Sequence, residues 1–171
     1  AERVRDIVAD LRRLAVAGSA DREPFDLAEA ARVAASWVSR GSKAGIEAKF
    51  GGLHELTVQA NQGHIQQIVM NLVQNAIDAL RDQPDPKLDI RIERQGDMAV
   101  LSVRDSGPGI PDETASLIFD PFYTSKPVGQ GTGLGLSISA KIAEEHGGRL
   151  VHTALFPGTE FRLELPMGGK A

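Results

Sequence analysis

Three short stretches of this chain put side chains or bare backbone where chemistry can be done. In HIQQIVMNLVQNAIDAL (64–80), Asn71, Asn75 and Asp78 fall within about 60° of one another when the stretch is wound at about 100° per residue. Two asparagines in mid-helix add nothing to helix propensity. They read either as a solvated polar edge or as a row of amide oxygens for a hard cation such as Mg²⁺, which takes oxygen ligands and keeps several waters. In VRDSGPGIP (103–111), Asp105 ends an apolar run and Gly107 and Gly109 follow it. A carboxylate there can accept a hydrogen bond from an exocyclic amine while the glycines let a flat ring approach; the same residues are also plain turn chemistry.

The third stretch, GQGTGLGLSIS (129–139), sets glycine at every second position and then runs into a helix-like pattern. Glycine is a poor strand former, so the alternation does not mark a strand. At a helix start, unpaired N–H groups and the dipole favour phosphate, and glycines remove the Cβ atoms that would hold an anion away. The spacing is neither the dinucleotide G-x-G-x-x-G nor the G-x-x-x-x-G-K-[ST] of a P-loop. Just upstream, FDPFYTSKPVGQ mixes aromatics, proline and glycine as a hinged lid does, and Lys126 can reach a terminal phosphate as a mobile point charge. Taken alone, that segment reads equally as a surface loop.

The elements that must position these residues can be read from pattern. Asp26 is a candidate N-cap for a helix through Ser39. IEAKF and ELTVQA read as strands around the turn GGL, and Asn61 can cap a long helix over 62–82. LDIRIE and MAVLSVR alternate and are joined by RQGD as a hairpin. A short helix near 112–118 follows, then a helix over 133–146 that stops at Gly147-Gly148, and RLVHTAL with TEFRLELP forms a closing hairpin. This order implies an α/β fold: a two-layer α/β sandwich with a mixed sheet and helices on one face. At the start, Val4, Ile7, Leu11 and Leu14 keep the a/d register of a coiled-coil seam over residues 1–17, and GSADREP (18–24) reads as a linker.

Composition narrows the function. The 171 residues carry a net charge of −4 with no long basic block, which disfavours nucleic-acid binding. Cysteine is absent, which excludes disulfides and thiolate metal sites and fits a cytoplasmic location. No apolar run is long enough to cross a bilayer. The chain opens in mid-helix pattern without Met, as a piece of a longer protein would.

The Asn-bearing helix, the Asp-Gly-x-Gly loop and the GTGLGL helix start, in this order, resemble the ATP-binding catalytic domain of sensor histidine kinases. That domain has the Bergerat-type fold shared with gyrase, the heat-shock chaperone of ninety kilodaltons and the mismatch-repair protein MutL. NLVQNAIDAL resembles the family's N box, DSGPGI its G1 box, FDPFYTSK its F box and GTGLGL its G2 box. GTEF (158–161) resembles a last motif whose Thr, here Thr159, lies near the adenine. NAIDAL with PFYTSKPVGQGTGLGLSIS is most similar to the branch of nitrogen- and dicarboxylate-sensing kinases. The resemblance implies ATP and Mg²⁺ as cofactors, with Asn75 as the metal ligand and Asp105 holding the adenine amino group. Gly107, Gly109 and Ile110 would line the adenine pocket. Gly131, Thr132, Gly133, Leu134 and Gly135 would wrap the triphosphate under a lid containing Lys126. Asn71 stands where hydrolytic relatives carry a glutamate base; an amide cannot do that work, so hydrolysis should be slow.

The resemblance further implies a protein histidine kinase whose acceptor histidine lies on a dimeric stalk outside this chain, with a cognate response regulator as second partner. Residues 1–17 would end the stalk's second helix, 18–25 would be the linker, 26–168 the ATP-binding domain and 169–171 a tail. The fragment is expected to be a monomer and the full-length protein a homodimer. His54, in HEL, imitates an acceptor motif, but HELTVQA alternates like a strand and lacks the following proline. His64, His146 and His152 read as structural, His146 as a cation suited to a helix C-terminus. Two other functions fit the same residues: a serine kinase of this fold, and a regulatory module that binds nucleotide without transfer.

Overall fold

The computed structural model describes residues 21–124 and 135–168, together with Arg5 and Val8. The stalk-helix expectation over residues 1–17 therefore lies almost wholly outside the described residues. Chain order runs β1 (Glu23–Asp26), α1 (Leu27–Gly41), β2 (Lys49–Gly52), β3 (Thr57–Ala60), α2 (Gln62–Leu80), β4 (Leu88–Gln95) and β5 (Met98–Asp105). It continues with α3 (Asp112–Ala115), α4 (Gly135–Glu145), β6 (Arg149–Ala154) and β7 (Thr159–Pro166). The main sheet has the order β2-β4-β5-β7-β6, and β1 pairs with β3 in a separate two-stranded sheet. Among the described strands only β2 and β4 run parallel; every other pair is antiparallel. The sheet is mixed, as expected, and one of its faces carries the helices.

The layering follows from side-chain period. On β4, Leu88, Ile90 and Ile92 are buried and alternate with Asp89 and Arg91; on β5, Ala99, Leu101 and Val103 face the same way. Against them α2 turns Ile65, Ile68, Val69, Leu72, Val73, Ala76, Ile77 and Leu80, all buried. The opposite face of the sheet is closed by long charged side chains instead of by helices. Val100 and Ser102, at the centre of that face, stand in register between Glu93 and Arg91 on one side and Glu164 and Arg162 on the other. Pairs such as Arg149–Glu164 at 3.2 Å and Arg162–Glu164 at 3.5 Å tile it. Each contributes about 0–1 kcal/mol, so this face is covered rather than glued.

Two local expectations give way to long-range pairing. Gly51-Gly52 is not a turn between paired strands: it is the end of β2, laid parallel against Arg91 and Ile92. Gly52 has φ +80, and a Cβ on it would lie 2.1 Å from the Ile92 carbonyl oxygen, so this approach needs glycine. β3 leaves that sheet to pair with Glu23–Asp26, which takes the end of the expected linker into a strand. Asp26 does cap α1, accepting from Ala28 N at 3.0 Å, and the same oxygen accepts from Leu56 N at 2.9 Å. One carboxylate thus fixes both the helix start and the entry to β3.

His146 differs from its expectation as a helix-end cation. Its Nδ1 donates to the Ile142 carbonyl at 2.8 Å and its Nε2 accepts from Asn61 N at 3.2 Å, which requires the neutral ring. Burial lowers its pKa, and the Ile142 bond only partly offsets that. His54 lies exposed in the bend between β2 and β3.

Candidate nucleotide site

The site is organised along one helix. Asn61 caps α2, its side chain accepting from His64 N at 2.9 Å. From there the helix carries Asn71, Asn75 and Ala79 at steps of four residues. These form a stripe about 12 Å long that drifts by about 40° per step. The apolar residues of α2 are buried against the sheet and the neighbouring helices α1 and α4, and the half-buried stripe runs along the edge of that face.

At the near end of the stripe, the Asn71 Nδ2 donates to the Gly135 carbonyl at 3.3 Å and to Ser139 Oγ at 3.1 Å. Asn71 therefore touches the first turn of α4, the helix that GTGLGL runs into. At the far end, the loop after β5 lies flat on the last turn of α2. A Cβ on Gly107 would stand 2.8 Å from the Ala79 carbonyl oxygen and 3.1 Å from the Ala79 Cβ. Only a residue without a side chain fits there, and Ala79 leaves it room.

Asp105 is the hub of that far end. It is 8% exposed, and its Oδ1 accepts from Gly107 N at 2.9 Å. Burial raises the carboxyl's pKa, and the Gly107 N–H pulls it partly back. Among the described residues no other hydrogen bond holds this carboxylate, so Oδ2 is left to accept from an incoming donor. Thr159, 4% exposed, stands directly opposite Asp105 in the β5–β7 register. Gly158 completes the wall: at φ +110, a Cβ on it would lie 1.9 Å from the Asp105 carbonyl oxygen. Gly109, at φ +81, would bring a Cβ to 3.2 Å from the Gly158 oxygen. Ile110 packs half-buried on the core beside this loop.

Asp105, Gly107, Gly109, Ile110 and Thr159 are thus gathered at one end of the stripe, and Asn71 and Gly135 at the other. Asn75 lies on the stripe one turn from each of Asn71 and Ala79. Asp78, which shares the polar edge in the sequence, is held along its own helix by Gln74 Nε2 at 3.0 Å and Arg81 at 3.3 Å. Lys126, Gly131, Thr132, Gly133 and Leu134 lie outside the described residues.

Comparison with known proteins decides what this geometry belongs to. The pattern of the family described as histidine kinase-, DNA gyrase B- and HSP90-like ATPase matches residues 60–169. The chain belongs to this ATPase family. Its relatives are sensor histidine kinases. The C4-dicarboxylate transport sensor protein DctB of Rhizobium meliloti is 32% identical over 96% of this chain and 26% of its own length. Among solved structures, the catalytic domain of the histidine kinase ThkA in a nucleotide-free form is 36% identical, with a TM-score of 0.76 over 86% of this chain and 99% of that one. A second ThkA structure, 33% identical with a TM-score of 0.72, holds that kinase with the response regulator protein TrrA and is covered to 42%, against 86% of this chain. Full-length ShkA in complex with AMPPNP is 26% identical, with a TM-score of 0.80 over 97% of this chain and 36% of that one. The chain spans about a quarter of the length of DctB, and it is a histidine-kinase-type catalytic domain of two-component sensors.

Within that domain, three residues contribute through contacts that the sequence does not disclose. Ala79 is an apolar helix residue like any other, yet its small size lets Gly107 lie on the helix. Gly158 is visible as a loop glycine after Pro157, but not as the residue that backs onto Asp105. Ser139 continues the helix pattern and is fully buried; only the position of Asn71 gives it a role.

Proposed function

We propose that this domain binds ATP with Mg²⁺ and donates the γ-phosphate to a histidine on the stalk of its parent kinase, for relay to a response-regulator aspartate. The observation that supports this most directly is the single helix α2 joining two half-sites: a buried carboxylate with a bare-backbone loop at one end, and the start of α4 at the other. Oδ2 of Asp105 would accept from the adenine amino group, which a guanine carbonyl cannot satisfy. The loop of Gly107 and Gly109, with Ile110 and Thr159, would receive the flat base. The N-terminus of α4, from Gly135, would face the phosphates, joined by Gly131, Thr132, Gly133, Leu134 and Lys126.

The donor set suits Mg²⁺. Asn71 and Asn75 are neutral oxygen donors, and among the described residues no group of three or more His, Asp or Glu side chains is placed to hold an ion alone. An ion here would take most of its ligands from phosphate and water. Bound there, it would neutralise phosphate charge during in-line transfer. Asn71, an amide at the place of a general base, would leave water unactivated and keep the phosphate for its protein acceptor.

Residues 1–17 would be the end of the stalk. The Asn61 Nδ2 donates to the Asp21 carbonyl at 3.0 Å, and Arg22 hydrogen-bonds to the Glu145 carbonyl. With residues 21 and 22 tied to the domain in this way, the linker would swing ahead of Asp21. No helix of the described residues is long and apolar enough to cross a membrane; the domain would work in the cytoplasm, beside its response regulator.

The test is incubation of this chain with Mg²⁺, γ-labelled ATP and a separate stalk carrying the acceptor histidine. Acid-labile label on the stalk is expected. Acid-stable label would mark a serine kinase, and tight ATP binding with no label in the full-length dimer would mark a regulatory module.

A further inference from the structure

Ser139 is fully buried on α4, one turn after Gly135. Its Oγ lies 3.1 Å from the Nδ2 of Asn71, whose other neighbour is the Gly135 carbonyl at 3.3 Å. A backbone carbonyl can only accept, so the end of the Asn71 carboxamide facing Gly135 must be the nitrogen. Two acceptors one helical turn apart then both face that nitrogen. The carboxamide is planar, with oxygen and nitrogen on opposite branches of Cγ. Once the nitrogen is bound to α4, the oxygen is turned away from it.

We propose that Ser139 is a positioning residue for the nucleotide site: with the Gly135 carbonyl it locks the Asn71 carboxamide so that Oδ1, and never Nδ2, is offered to the cation and phosphates. This inference rests on the proposed reading of the site as one for magnesium–ATP. It also gives the buried hydroxyl a purpose that packing does not require, since alanine would fill nearly the same space. Without the hydroxyl, Nδ2 keeps one acceptor instead of two, and the amide gains freedom to turn its donor end toward the site. There an N–H₂ group offers a cation nothing. The hydrogen bond between Ser139 and Asn71 also fixes the start of α4 against α2, so the phosphate end of the site and the asparagine stripe move as one body.

The test is calorimetric titration of Mg²⁺ into this chain saturated with a non-hydrolysable ATP analogue, for wild type, Ser139→Ala, Asn71→Ala and the double variant. Removing a residue that orients a metal ligand commonly weakens metal affinity about 10- to 100-fold. Ser139→Ala should raise the apparent Mg²⁺ dissociation constant about tenfold, leave adenosine binding unchanged, and add nothing in the Asn71→Ala background. Unchanged Mg²⁺ affinity in Ser139→Ala, or full additivity with Asn71→Ala, overturns the proposal. Absence of analogue binding by the wild type overturns the nucleotide reading itself, which separates the two failures. A measurement on wild type alone covers the case of an unfolded variant. The Asn71 side-chain amide protons should be protected from exchange before and after Mg²⁺–analogue binding, while the Asn71 carboxamide carbon shifts on binding. Rapid exchange in both states refutes the lock.

Discussion

Replacing Asp105 by asparagine should abolish tight ATP binding without weakening the fold, and the structure says why so small a change is decisive. Oδ1 of Asp105 is already committed to Gly107 N at 2.9 Å. That donor belongs to backbone pressed against Ala79, where even a Cβ would clash. In Asp105→Asn the amide oxygen must stay on Gly107, because an N–H₂ there would meet an N–H. The amide nitrogen therefore replaces Oδ2 and faces the adenine amine as donor against donor. Loss of a hydrogen bond to a charged acceptor costs about 1.5–3 kcal/mol. The ATP dissociation constant should therefore rise roughly tenfold to 150-fold. Guanine presents a carbonyl at that position, so the loss for GTP should be smaller and the preference for adenine should narrow. Stability should move the other way. Burial holds the Asp105 pKa above 3.8, so the folded state takes up a proton more readily than the unfolded chain, and ionised Asp105 opposes folding at neutral pH. The neutral isostere removes that opposition, and the thermal midpoint should hold or rise. Calorimetry with both nucleotides and a melting curve provide the assay. Unchanged ATP affinity would refute the assignment of Asp105. Equal losses for ATP and GTP with a lowered midpoint would show that the loop had collapsed and the orientation argument was wrong.

The other expectations concern the neighbours of that carboxylate and the pH response. Asn75→Ala should leave adenosine affinity intact and weaken the Mg²⁺-dependent part of nucleotide binding, read from a magnesium titration. Gly158→Ala puts a Cβ 1.9 Å from the Asp105 carbonyl oxygen at φ +110, and should cost about 1–3 kcal/mol from backbone strain alone. That lowers the midpoint by roughly 2–12 °C, whereas Gly41→Ala, with nothing within 4 Å, serves as the silent control. His146, His64 and His152 all have lowered pKa values, each chiefly through burial. The unfolded chain then binds more protons just below pH 6.5, so stability is full above that pH and is lost as pH falls toward the folded-state values. Denaturant midpoints measured from pH 7.5 to 5 should show this slope, and His146→Ala should flatten part of it.

What could be read from the sequence was what short segments decide for themselves. The Asp26 and Asn61 caps, the stop at Gly147-Gly148, and the hairpins β4–β5 and β6–β7 all depend on neighbours a few residues away. The pairing of β2 with β4, and of β3 with β1, depends on contacts tens of residues apart, and Gly51-Gly52 looks like a turn until Ile92 is laid beside it. His146 failed for the same reason: a helix end argues for a cation, but Asn61 N, 85 residues earlier, supplies a donor that only a neutral ring can accept. At the site, residues with a chemical signature could be picked out, and those that work by being small could not. Asp105, Asn71 and Asn75 announce themselves; Ala79, Gly158 and Ser139 acquire meaning only from what presses on them.

The stripe on α2 also limits which parts of the domain can move during turnover. Eight side chains of this helix are buried against the sheet and its neighbours, so Asn71, Asn75 and Ala79 keep fixed positions relative to β5. Gly107 rests on Ala79, and Gly135 is bonded to Asn71, so both half-sites inherit that fixity. At its other end α4 is tied as well: the Glu145 carbonyl accepts from Arg22, and His146 accepts from Asn61 N. Among the described residues, α4 is thus braced at both ends, and the two half-sites are joined through α2 as one body. In the proposed kinase, therefore, Asn71, Asn75, Asp105 and Gly107 would keep their mutual positions from loading to transfer, and phosphate would be delivered by movement of this body as a unit.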